Sequence, residues 1–246
     1  FFHQWVHSAA NGGPWGSTLI LEPQGFFEQV HTHLILPIIV VLYWVFPEQN
    51  LLLLLHSFFV CLALWPIFRL AEGLAGGRYA AMCSVAVLVF GPFQAVATAD
   101  FRPISLFVPA FIGVWASARE GKTWPMLAWA MLAIFGRQEA AYLIASSGVV
   151  LALAPWGKVK RHQGLILLGL GVLAWILFAL MKPAMFFHVN PMEPQPWPTS
   201  TELWERRQAF GLSFLLSGWG FGLLAWPALL AAGPVFWGML STNHEW

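Results

Sequence analysis

Long apolar blocks separated by short polar turns dominate this chain. A bilayer-crossing helix needs about 20 mainly apolar residues. The blocks at 51–70, 79–99, 104–118, 125–136, 140–156, 164–181 and 212–241 therefore predict spans, with 125–136 the shortest. Block 79–99 is interrupted at Gly91, Pro92 and Phe93, and block 212–241 at Pro227 and Pro234. Residues 34–46 are apolar but too short to cross, and they contain Pro37. They predict a short re-entrant helix. Residues 1–33 are polar, aromatic and glycine-rich, and predict an external first loop with short amphipathic helices. Residues 182–210 predict a second external loop. Within it, Thr199 and Glu202 have capping-box spacing and start a surface helix through Phe210. The predicted fold is all-α: one polytopic transmembrane helix bundle over residues 1–246.

Composition strengthens this picture. Charged residues make up 9% of the chain and hydrophobic residues 59%, with a mean hydropathy of +0.68. Soluble domains carry about 25% charged residues, so this chain has too few to cover a water-facing surface. The net charge is +1, which leaves no electrostatic footprint for a nucleic-acid partner. The two cysteines, Cys61 and Cys83, lie in apolar runs and read as small buried hydrophobes. The opening FFHQWVHSAANGGPWG has neither the basic start nor the apolar core of a signal peptide. With no initiating methionine and an abrupt end at STNHEW, the chain reads as a fragment lacking N- and C-terminal parts.

Basic residues orient the bundle. If 1–50 lies outside, then Arg69, Arg78, Arg119, Lys122, Lys158, Lys160 and Arg161 all fall on the cytoplasmic side. A fully spanning 34–46 would reverse this and break the rule, so the re-entrant reading is preferred. Trp44, Trp124, Trp156 and Trp204 sit near predicted span ends, as interfacial anchors do. Gly218 and Gly222 form a small-xxx-small pair suited to close helix packing.

Candidate chemistry gathers on the outer side. In ADFRP, Asp100 can act as a base or ligate a divalent metal, and Arg102 can hold an anion. The alternative is an Asp100–Arg102 pair capping the next helix. In GRQE, Arg137 can hold a phosphate that Glu139 orients, or the two can neutralise each other. In FFEQVHTH, Glu28 and His31 are three apart on one helical face, with His33 following, and suit metal binding or proton transfer. His3 and His7 mimic zinc-protease spacing, but Gln4 replaces the glutamate base and excludes that activity. His56, within LLLLLHSFF, either bonds a neighbouring helix or ligates a pigment or haem. The sequence has no P-loop, no dinucleotide-binding glycine motif after a strand and no serine elbow.

The ordered segments FHQWVHSAANGG, VHTHLILPIIVVLYWVFP, PIFRLAEGL, ADFRPISLFVPAF, GRQEAAYLIASSGVVLAL and WPALLAAGPVFWGMLS carry a resemblance. The chain resembles an uncharacterised family of predicted bacterial multispanning membrane proteins, a domain of unknown function. That family in turn resembles the GT-C glycosyltransferases, which use polyprenyl-phosphate sugars. It shows FHP where this chain has Phe101, Arg102 and Pro103, and a Lys-Glu-Asp-like triplet at Arg137, Gln138 and Glu139. It also carries an acid near the position of Phe2 and His3. In GT-C enzymes the first external loop supplies a catalytic carboxylate, which leaves Glu22 and Glu28 as candidates in that loop.

The resemblance implies a GT-C-like bundle in the bacterial inner (plasma) membrane, with the N-terminal loop external. It implies a transferase in which Asp100 or Glu28 is the catalytic carboxylate. Arg102, Arg137, Glu139 and His31 would bind the lipid phosphate. A divalent metal is the candidate cofactor, its identity open. Expected partners are the lipid bilayer and a polyprenyl-phosphate-linked substrate. The alternative is a non-catalytic accessory or structural subunit of a larger membrane complex. A transporter is a third option, suggested by the helix breaks at Pro92 and Pro227.

Overall fold

A computed structural model describes residues 2–13, 33–153 and 158–181. The described residues are helical, with no strand among them. The predicted span 212–241, the loop 182–210, the Thr199–Glu202 box and the Gly218–Gly222 pair lie outside the described residues, as do Glu22, Glu28 and His31.

Helix α1 (Phe2–Ala10) lies against α2 (Leu36–Val45). Trp5 and Val6 bury into a small core with Leu36, Ile39, Tyr43, Leu52, Phe101 and Leu106. Helices α3 (Gln49–Leu62) and α4 (Leu64–Ala75) follow, nearly continuous over Asn50–Ala75. The discontinuity at Ala63 has a local cause. Pro66 has no N–H to give the carbonyl of Leu62, so the ladder is interrupted one turn before it. Gly76, at φ +87°, ends α4 in a conformation that costs glycine little, and its N–H donates to the Glu72 carbonyl at 2.9 Å.

The interruption at the GPF sequence is present. Helix α5 (Gly77–Val89) ends there and α6 (Gly91–Ala97) begins. A 3-10 turn, Pro103–Leu106, leads into α7 (Phe107–Glu120), and α8 (Thr123–Gly136) returns beside it. Gly121 joins them at φ +74°, and the Lys122 N–H reaches back to the Ser117 carbonyl at 3.0 Å. This is a Schellman-type stop.

Helices α9 (Ala140–Leu153) and α10 (Arg161–Met181) make the most intimate pair. Gly148 meets the backbone of Leu168, Gly164 that of Ala152, and Gly171 that of Ala145. A Cβ at any of the three would collide with main chain. Without side chains at these positions the helices approach closely enough for dispersion to hold them. The main core fills the space between α7, α8, α9 and α10 with Val114, Met126, Ala130, Ile144, Leu151 and Leu167.

Large apolar side chains also stand exposed, including Val41 and Trp44 on α2, Met82 and Val89 on α5, and Leu173 and Leu180 on α10. Such faces far exceed the scattered apolar residues of a soluble surface. Among the described residues, two helices, Asn50–Ala75 and Arg161–Met181, are long and apolar enough to cross a membrane, while α2, α5, α8 and α9 are shorter. Cys61 and Cys83 correct an expectation: both are free and exposed, on outward apolar faces and not in the core.

Because α7 and α8 run in opposite directions, the turn at Gly121 marks one end of the bundle. Pro103 and Gly136 mark the other. The first end is tightly cross-linked. Arg69 contacts Glu120 at 2.7 Å and Glu72 at 3.2 Å, and Lys122 contacts Glu120 at 2.7 Å. Arg119 donates to the carbonyls of Leu70 and Gly73, and the Lys158 N–H donates to the Arg119 carbonyl. Buried Gln163 accepts from the Lys160 N–H at 2.8 Å and donates to Gly121 at 3.1 Å and Thr123 at 2.6 Å.

Candidate functional site

The opposite end carries the candidate chemistry, and His56 organises it. His56 lies in an apolar stretch of α3 and is 1% exposed. Its Nε2–H donates to the Val96 carbonyl at 2.7 Å, and its Nδ1 accepts from the Arg102 N–H at 3.3 Å. A carbonyl only accepts, so Nε2 carries the proton and Nδ1 is left as the acceptor. The neighbouring Ser57 hydroxyl donates to the Ala97 carbonyl at 3.0 Å. These bonds satisfy carbonyls in the last turn of α6, which has no further helix to do so. Of the two readings of His56, the bond to a neighbouring element is the one formed. Both ring nitrogens are engaged, so neither is available to a pigment or haem.

The segment beyond α6 is extended at Arg102, with φ −136° and ψ 123°. Successive side chains of an extended chain point to opposite sides. Phe101 accordingly turns inward, 5% exposed, edge-on to Phe2 at 6.1 Å and to His56 at 6.4 Å. Asp100 and Arg102 turn outward and are exposed. Neither side chain has a hydrogen bond or ion pair among the described residues. The alternative of an Asp100–Arg102 pair capping the next helix is therefore not formed. Ser105 closes that turn, its N–H and hydroxyl donating to the Arg102 carbonyl at 3.0 and 2.7 Å.

The GRQE loop lies against the same turn. A Cβ on Gly136 would sit 3.6 Å from the Pro103 carbonyl and 3.4 Å from the Phe107 nitrogen, so glycine allows the two segments to touch. Buried His33 fastens this junction, with its Nδ1 2.7 Å from the Gly136 carbonyl. The Ile35 N–H donates to the Phe135 carbonyl at 2.9 Å. Phe2 packs edge-on against His33 at 5.8 Å. Arg137 and Glu139 form an ion pair at 2.7 Å, their side chains 17% and 28% exposed.

The loops that carry Asp100 and Arg102 and Arg137 and Glu139 thus meet at one end of the bundle. The sequence assigns Phe101 no role and offers His33 for metal binding or proton transfer, so it names neither as a positioning residue. The D-F-R alternation is a readable signal for Phe101, whereas the bond from His33 to Gly136 spans the chain and has none. Among the described residues, no three His, Cys, Asp or Glu side chains converge on a metal position.

A family described as "Predicted membrane protein (DUF2079)" matches residues 1–246. The chain belongs to the DUF2079 family. No curated protein and no solved structure matches it. The DUF2079 match agrees with the resemblance to an uncharacterised membrane family, with the all-helical build and with the two span-length helices. It assigns no activity.

Proposed function

We propose that this DUF2079 member is a GT-C-type glycosyltransferase acting on a lipid-phosphate sugar at the external face of the bacterial inner membrane. The observation that carries the reading is the exposed, unpaired Asp100 and Arg102, on a loop fixed from beneath by His56. Ionisable groups at the edge of an apolar bundle are costly and are kept where they have work to do. Arg102 holds a phosphate of the lipid donor, since a guanidinium pairs two oxygens at once. Asp100 takes a proton from the acceptor hydroxyl or holds a divalent metal. Arg137 and Glu139, already oriented by each other, supply a second anion contact beside the loop. Glu28 and His31 belong to the first external loop, and Glu28 is the alternative catalytic carboxylate. In this orientation the cross-linked end with Arg69, Arg119, Lys122 and Lys158 is cytoplasmic, which satisfies the positive-inside rule, and α2 is the re-entrant element.

A second reading, an accessory subunit of a membrane complex, is favoured by one feature. Helix α2 has 10 residues, too few to span, yet exposes Val41, Trp44 and Val45, with Phe46 exposed just beyond its end. A neighbouring subunit would cover such a face.

The test is sugar transfer by the chain in vesicles supplied with polyprenyl-phosphate sugars. The reading requires turnover that Asp100→Asn abolishes while the folded protein persists. Turnover unchanged in both Asp100→Asn and Glu28→Gln contradicts the assigned carboxylates. Partner subunits co-purifying on α2, with no transfer, favour the accessory reading.

A further inference from the structure

His3 and His7 face the same side of α1, one turn apart. Their rings are stacked at 6.1 Å with an interplanar angle of 27°. Both direct a ring nitrogen at one oxygen. The His3 Nε2 lies 3.2 Å from the Tyr43 hydroxyl, and the His7 Nδ1 lies 3.5 Å from it. Tyr43 is 3% exposed and fixed in the core beneath α1, while His7 is exposed. A rigid donor below and a solvent-facing ligand above give an ion an entry route.

The spacing has a chemical meaning. Two ligands about 2.1 Å from a tetrahedral ion stand about 3.4 Å apart. The two N···O separations, 3.2 and 3.5 Å, bracket that value.

We propose that His3, Tyr43 and His7 form a binding site for a divalent transition-metal ion, with two imidazoles and one phenol oxygen as ligands. Imidazole selects zinc, nickel and copper over magnesium and calcium, and copper(II) binds such a set most tightly. The site differs in composition from the proposed transferase centre, which uses carboxylates and arginines on other loops. It is also not the zinc-protease motif that Gln4 excludes, because it needs no general base. Tyr43 was hidden from that motif because it lies 40 residues from His3.

The test is copper(II) titration of the full chain in nanodiscs, with any purification tag removed, followed by electron paramagnetic resonance. The expected result is one tight copper(II) with two coordinated nitrogens. His7→Ala, at an exposed position, removes one nitrogen and weakens binding by more than about tenfold, since losing a partner that merely orients a ligand already costs that much. Tyr43→Phe retains both nitrogens and weakens binding. An unchanged affinity and spectrum in His7→Ala places the copper elsewhere and overturns the proposal. No binding above that of the free buffer also overturns it, leaving the histidines as hydrogen-bond partners for a buried phenol only.

Discussion

The two ends of the bundle hold their charges in opposite ways. At the Gly121 end, Glu120 sits between Arg69 and Lys122, and Arg119 is spent on backbone carbonyls. At the Pro103 end, Asp100 and Arg102 have no such partners among the described residues. Their loop is held through neutral groups: the His56 imidazole, the buried Phe101 ring and the Ser105 hydroxyl. The first arrangement joins helices together. The second holds a backbone still and leaves two charges available, as a binding site requires.

Substitutions break this contrast in a definite order. His56→Ala has the largest expected effect on stability, about 2–4 kcal/mol, because it empties a buried side-chain site and leaves a part-buried carbonyl and N–H unpaired. Thermal unfolding in nanodiscs would measure it, and a loss no larger than that of a surface mutant would break the claim that His56 anchors the loop. Gly121→Ala follows at about 1–2 kcal/mol, since alanine is strained at φ +74° and its Cβ would lie 3.0 Å from the Lys158 carbonyl.

Glu120→Gln comes next, at about 0.5–1 kcal/mol for a part-exposed ion-pair network. Its pH dependence sharpens the contrast. Burial alone would raise the Glu120 pKa, but hydrogen bonds and attraction from Lys122 and Arg69 hold it below the ordinary value of 4.5. A depressed carboxylate pKa stabilises the folded state above the unfolded value. That contribution is lost as pH falls through the lower folded value. Acid unfolding followed from pH 5 downwards should show this loss in the native chain and not in Glu120→Gln. Arg102→Ala has the smallest expected stability effect, within about 0.5 kcal/mol, as at other exposed positions. Its effect should fall on lipid-phosphate binding instead.

Much of the bundle was legible in the sequence, because helix-length apolar blocks and their breakers lie along the chain. The halts at Gly91 and Gly121 follow from local chemistry. Burial was less legible. Cys61 and Cys83 were expected inside because their surroundings are apolar, yet an apolar surface in a membrane family faces outward as readily as inward. The Gly148, Gly164 and Gly171 seam was present in the sequence, but glycine in an apolar run does not name its partner helix. The candidate site was legible in its residue types and not in its supports. Asp100, Arg102 and Arg137 stand out as charges. The long-range contacts of His56 with Arg102, His33 with Gly136 and His3 with Tyr43 depend on tertiary packing.

The most direct measurement compares the two ends for lipid-phosphate retention. Native mass spectrometry of the intact chain with polyprenyl phosphate would be run on wild type, Arg102→Ala and Arg69→Ala. The predicted result is bound lipid phosphate in wild type and Arg69→Ala, and its loss in Arg102→Ala. Equal retention in all three, or loss in Arg69→Ala alone, would contradict the assignment of the open charges as the binding end.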